Sequence, residues 1–165
     1  MNDFVKKIKQ VKNIDDAIKI LALQIELTSK IEEAIDFAIK AHEGQFRKSG
    51  EPYAVHPILV AAITAAISND ETMVIAALLH DVVEDTPYSL EDIKKRFGNE
   101  VALLVDGLTK IIEIRDEELI RSGSNEKLIK SAMTFRKMLL ISIKDLRVLV
   151  IKLCDRVHNM LTLDS

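Results

Sequence analysis

Residues 78–89 read LLHDVVEDTPYS. Apolar side chains dominate up to Val83, yet the run also carries His80, Asp81, Glu84 and Asp85. It has the look of a buried helix, and buried charge is costly unless it is paired or bound to a metal ion. A capping box from Ser68 and Glu71 is the expected start of this helix. Pro87 is its expected stop, because the residue before a proline disfavours helical backbone.

The same reading extends outward. Ile14, Ala17, Ile18, Leu21 and Ile25 recur at helical spacing. A second helix is predicted from Thr28 or Ser29 through IEEAIDFAIKAHE to Gly44, a natural residue beyond a helix C-terminus. GQFRKSGEPYAVHP is the most irregular stretch. Pro57 suits the first turn of the next helix and puts His56 near its N-cap. Ser89 is placed to cap SLEDIKKRF, which Gly98 closes, and NEVALLVDGLTKI gives another amphipathic helix. IRDEELIRSGSNEKLIKSA is polar, contains Gly123 and reads as a loop or a frayed helix pair. The last long helix, KDLRVLVIKLCDRVHNML, carries an apolar stripe at Leu146, Leu149, Leu153, Val157 and Met160. The fold class is therefore all-α.

Composition narrows the functional classes. The chain has 165 residues, enough for one domain with a real core, and a globular balance of 48% hydrophobic and 30% charged residues. A net charge of -3 without a long basic run argues against a nucleic-acid surface. A single cysteine, Cys154, excludes an internal disulfide and points to the cytoplasm. Met1 is followed by NDFVKKIKQVKNIDD, which has no signal-peptide core. Runs such as VAAITAAI (60–67) are too short to span a bilayer. The chain stops abruptly at LTLDS after a strong helix, as a piece of a longer protein would.

The four histidines are His42, His56, His80 and His158. Two adjacent ligands, His80 and Asp81, can reach one ion from a helix lying tangent to it. On that helix His80 stands beside Glu84 and Asp81 beside Asp85, where the second-turn carboxylates can orient or deprotonate water. Asp155 interrupts the apolar VLVIKLCDRV and needs a partner, either a metal ion or its neighbour Arg156. His56, His80–Asp81 and Asp155 would then converge from three separate elements. Imidazole and carboxylate ligands suit Mn²⁺, Fe²⁺, Zn²⁺ or Mg²⁺, and the spacing leaves that choice open. Ligation needs neutral imidazoles, so metal binding should weaken toward and below about pH 6, near the ordinary histidine pKa.

AHEGQFRKSGEPYAVHP, LLHDVVEDT, VDGLTKI, FRKMLL and VLVIKLCDRVHNMLTL resemble, in order, the hydrolase half of the RelA/SpoT family, from about Ile31 to Leu163. The resemblance implies an HD-domain helical fold over residues 29–165, preceded by an N-terminal helical extension over 1–28. It implies a Mn²⁺ ion held by His56, His80, Asp81 and Asp155, with Glu84 and Asp85 as the catalytic acidic pair. Nucleotide contacts fall on Arg47, Lys48, Asn159 and Thr162. The implied activity is metal-dependent removal of the 3′-pyrophosphate from guanosine tetra- or pentaphosphate, (p)ppGpp, in the stringent response. Longer members carry a synthetase domain as a partner; neither nucleic acid nor membrane is expected.

These positions make chemical sense. The planar guanidinium of Arg47 can stack on a purine or grip phosphate with a fork of donors, and Lys48 offers a point charge. Asn159 follows Asp155 by four residues and shares its helix face. Two departures stand out: Leu161 where the family often has arginine, and Cys154 where it has another small residue. Cys154 reads as a core filler. Two rival readings remain: an HD phosphohydrolase acting on another nucleotide, and a regulatory module that binds nucleotide with weak or no turnover.

Overall fold

The computed structural model describes residues 2–119, 132–133, 136 and 145–162. Its helices are α1 (Asn2–Gln10), α2 (Ile14–Gln24), α3 (Ser29–Ala41), α4 (Val55–Ser68), α5 (Glu71–Leu78), α6 (Val82–Asp85), α7 (Leu90–Phe97), α8 (Asn99–Leu119) and α9 (Leu146–Thr162). Among the described residues, the one β-type pairing is an isolated antiparallel bridge between Phe46 and Pro52. The expected all-α class holds.

α4 is the centre. Every residue from Val55 to Ala65 is buried, as befits a helix that is apolar all round. It packs on α2, α5 and α9, while α3 and α8 lie against α5. Each fully buried side chain such as Ile58 or Leu59 contributes about 1.5–3 kcal/mol. Two polar residues interrupt the run, His56 and Thr64, and Thr64 donates its hydroxyl to Val60 O at 2.8 Å. The N-terminal segment belongs to this core: Ala17 and Leu21 of α2 are fully buried.

Local chemistry sets the boundaries. Asn13 and Thr28 cap α2 and α3 by accepting from Asp16 N and Ile31 N. α3 ends at Ala41, and Gly44, at φ +81°, makes the turn beyond it. α4 begins with Val55, so His56 and Pro57 both lie inside its first turn rather than His56 at the cap. The expected Ser68–Glu71 capping box does not form. Ser68 is the last residue of α4, and Asp70 caps α5 by accepting from Met73 N at 3.0 Å. Asn69, at φ +50°, makes the link.

The opening stretch is two helices, not one. Leu79 N bonds both Ile75 O and Ala76 O, and His80 N and Val82 N reach back three residues instead of four. This tightening ends α5 at Leu78 and lets α6 restart at Val82. Thr86, extended before Pro87, ends α6 as expected.

Ser89 caps α7 as expected, in a capping box with Asp92 that was not foreseen, and Gly98 closes the helix. α8 runs on to Leu119, into the stretch read as a loop or a frayed helix pair. Gly123 and most of FRKMLL lie outside the described residues. Gly107 brings α8 close to α9: a Cβ there would stand 3.0 Å from Val148 Cγ2. The apolar stripe of α9 is not its packed face. Leu146, Leu153, Val157 and Met160 are exposed. The buried side carries Val148, Ile151 and Cys154 together with Lys152, Asp155 and His158. Burial pushes the Cys154 thiol pKa up, which suits an inert filler.

Candidate metal centre

The break between α5 and α6 lets two consecutive residues face one point. His80 Nε2 lies 3.0 Å from Asp81 Oδ2. The first turn of α4 brings His56, and the middle of α9 brings Asp155. Asp155 Oδ1 is 2.8 Å from His56 Nε2 and 3.3 Å from His80 Nε2, and His56 Nε2 is 3.8 Å from Asp81 Oδ2. The four expected ligands thus converge, and all are buried.

This arrangement fits a cation. His80 Nδ1 is 2.6 Å from Ala77 O, so it donates its proton to that carbonyl. That leaves Nε2 aimed at the carboxylates, without a hydrogen-bond partner. Two ring nitrogens and two carboxylate oxygens then share one small space. Ligand atoms at about 2.1 Å from an ion and at right angles would sit about 3 Å apart, close to the spacings seen. Among the described residues, the ligand atoms of His56, His80 and Asp81 all lie within 4.8 Å of one another.

The electrostatics agree. Burial alone would lower the pKa of His80, but Asp81 and Asp155 override it and raise it well above the ordinary value. The carboxylates thus favour positive charge at this point. Burial, helped by the charge of His80, lowers the pKa of His56. Asp81 and Asp155 resist burial, and the two imidazoles hold both carboxyls far below the usual range.

A second layer holds these side chains, and sequence reasoning did not find it. Tyr53 donates its hydroxyl to Asp81 Oδ2 at 2.7 Å and reaches Asp85 Oδ2 at 3.5 Å. Burial and the charge of Asp81 push the phenol pKa up, so it stays a donor. Lys152, buried, pairs with Asp155 Oδ2 at 2.8 Å and leaves Oδ1 facing inward; Arg156 is exposed. Gln45 donates to Asp85 O at 2.7 Å and accepts at Oε1 from His42 Nδ1 at 2.9 Å. His158 is buried, and burial with the charges of His56 and Arg47 drives its pKa down to about 2. The Tyr53 and Lys152 signals were in the sequence: a tyrosine after Pro52 in the irregular loop, and a lysine inside an apolar helix.

The remaining expected residues are unevenly placed. The loop between α3 and α4 folds back through Arg47 N to Glu51 O and Tyr53 N to Gln45 O, both 2.9 Å. This sets Arg47 over the centre, where it donates to Asn159 Oδ1 at 2.8 Å. Asn159 Nδ2 is 3.5 Å from Asp155 Oδ1. Lys48 is exposed in the same loop. Thr162 donates to His158 O, within its own helix. Glu84 and Asp85 lie exposed on α6. Partial burial and the nearby charge of Asp81 raise the Asp85 pKa.

The HD domain model matches residues 34–165. A guanosine-3′,5′-bis(diphosphate) 3′-pyrophosphohydrolase from Haemophilus influenzae is 50% identical over 125 residues, covering 76% of this chain and 17% of that protein. The bifunctional (p)ppGpp synthase/hydrolase SpoT of Escherichia coli is 44% identical over 136 residues, covering 82% and 18%. The chain thus spans less than a fifth of the length of these relatives. A solved structure described as a metazoan ortholog of SpoT that hydrolyzes ppGpp matches with a TM-score of 0.58 and 31% identity, over 80% of this chain and 68% of that one. An HD match over most of the chain and these relatives agree with the residues gathered at the centre: the chain belongs to the HD-domain family, in its RelA/SpoT branch.

Proposed function

We propose that the chain is a cytoplasmic, Mn²⁺-dependent hydrolase that removes the 3′-pyrophosphate of (p)ppGpp in the stringent response. The observation that carries this reading is the meeting of two imidazoles and two carboxylates from three distant parts of the chain beside the guanidinium of Arg47. The relatives' printed activities supply the substrate class.

His56, His80, Asp81 and Asp155 hold the ion. A divalent cation there supplies Lewis acidity toward phosphoryl oxygen and acidifies water. Tyr53 and Lys152 orient the two carboxylates that face it. Arg47 and Lys48 bind the phosphates, and Asn159 and Thr162 line the nucleotide side. Glu84 and Asp85 orient the attacking water and take its proton, a task suited to the raised pKa of Asp85. The water oxygen bonds to the 3′-linked phosphorus as the bond to the ribose 3′-oxygen breaks. That oxygen leaves protonated, giving GDP or GTP and pyrophosphate. In longer relatives a synthetase domain is the natural partner.

Incubating the chain with ppGpp, with and without Mn²⁺, tests this. Pyrophosphate and GDP formed only with the metal are expected. Nucleotide binding with no pyrophosphate release would sink the enzymatic reading, and turnover of other nucleotides but not ppGpp would sink the substrate assignment.

A further inference from the structure

His158 ligates nothing in the reading above, yet it sits at the junction of the metal centre and the phosphate-binding loop. It is 1% exposed. Its Nδ1 lies 2.7 Å from His56 Nδ1 and 3.2 Å from Arg47 Nη1.

The proton positions follow from the three partners. A guanidinium has donors and no acceptor, so His158 Nδ1 must show Arg47 a lone pair. Two nitrogens 2.7 Å apart share a single hydrogen, so His56 Nδ1 must carry it and donate. A neutral His56 then has a bare Nε2. That nitrogen is the one 2.8 Å from Asp155 Oδ1 and 3.8 Å from Asp81 Oδ2. A lone pair facing two carboxylates is unfavourable until a cation lies between them. Arg47, His158 and His56 thus form a chain of hydrogen bonds whose far end is a ring nitrogen free to ligate.

We propose that His158 is a positioning residue: it accepts from both Arg47 and His56, locks His56 in the tautomer that offers Nε2 to the metal, and ties that ring to the loop that grips phosphate. The inference rests on the metal-binding reading above. His158 is not itself a ligand through Nδ1, because that lone pair is already engaged by two donors.

The test is Mn²⁺ binding, followed by the electron paramagnetic resonance signal of the free ion, in the unaltered chain and in His158→Asn, His158→Gln and His158→Phe. Asparagine places an oxygen near the position of Nδ1; glutamine reaches the position of Nε2 instead. His158→Asn should bind within about threefold of the unaltered chain. His158→Gln and His158→Phe should bind about 10–100-fold more weakly, the usual loss when the outer partner of a metal-bound histidine goes. Equal affinity in all four proteins overturns the role of His158 and leaves the metal centre standing. Retention in His158→Gln with loss in His158→Asn also overturns it. An unaltered chain that binds no Mn²⁺ overturns the metal reading and this one with it. A measurement free of substitutions is ¹⁵N NMR of the Zn²⁺-loaded chain. The proton of His158 is expected on Nε2 and that of His56 on Nδ1; a His158 proton on Nδ1 overturns the proposal.

Discussion

Asp92 and Asp155 are both partnered aspartates, but over very different spans of chain. Asp92 Oδ2 accepts from Ser89 N at 2.9 Å, three residues away at an exposed helix start. Asp155 Oδ1 meets His56 across 99 residues, in the interior. The first bond forms wherever a helix begins with that pair of residues. The second meeting, of a carboxylate with a ring nitrogen that a cation would bridge, exists only when the whole fold is assembled, and burying charged groups returns little stability for its cost. The contact of Asp92 marks architecture, and that of Asp155 marks use.

The largest break in this contrast comes from Asp155→Asn. It should abolish metal binding and lower turnover by more than the about 10²–10⁴-fold that a lost general base costs. It should also destabilise the fold by about 3–5 kcal/mol, because buried Lys152 loses its counter-charge; chemical denaturation measures this. Next comes Glu84→Gln, on the exposed face of α6: turnover should fall about 10²–10⁴-fold with Mn²⁺ still bound in a titration. Tyr53→Phe removes the hydrogen bond to Asp81. Metal affinity should fall about 10–100-fold, read by calorimetry, with little change in melting temperature.

The pH profile sharpens the contrast further. The raised pKa of His80 stabilises the metal-free protein below the ordinary histidine value, and that gain is lost as pH rises through the raised value. The depressed carboxyls of Asp81 and Asp155 stabilise it above the ordinary carboxylate range, with loss only in acid. Melting of the metal-free chain should therefore weaken on the alkaline side, and added Mn²⁺ should restore it. Because the metal must displace the His80 proton, binding should begin to weaken at a higher pH than the roughly pH 6 expected from an ordinary histidine. The smallest effect is Ser89→Ala: about 1 kcal/mol of stability lost, seen as a shift of a few degrees in melting, with turnover unchanged.

How much of this was legible in the sequence follows the same division by span. His80, Asp81 and Asp155 stood out because their chemistry clashes with apolar surroundings, and His56 as a histidine at a helix start. The cap at Ser89 and the stop at Pro87 were legible because both are local. The break at Leu79 was not, since residues 78–85 have good helical spacing and only packing decides where the ladder tightens. The stripe on α9 misled for a related reason. Leu146, Leu153, Val157 and Met160 make a regular apolar row, but the protein turns the opposite side inward, where Asp155 must reach its partners. Tyr53, Lys152 and His158 were missed because their roles depend on which distant atom each meets.

Gly107 carries a consequence for residues it never touches. Val148, which nestles where a side chain on Gly107 would be, sits two turns before Asp155, on one stiff rod about 10 Å further along. A single methyl at 107 would press on the Val148 side chain at 3.0 Å and ask it to give by a few tenths of an ångström. The helix that carries Asp155 can thus lie this close to α8 because position 107 has no side chain.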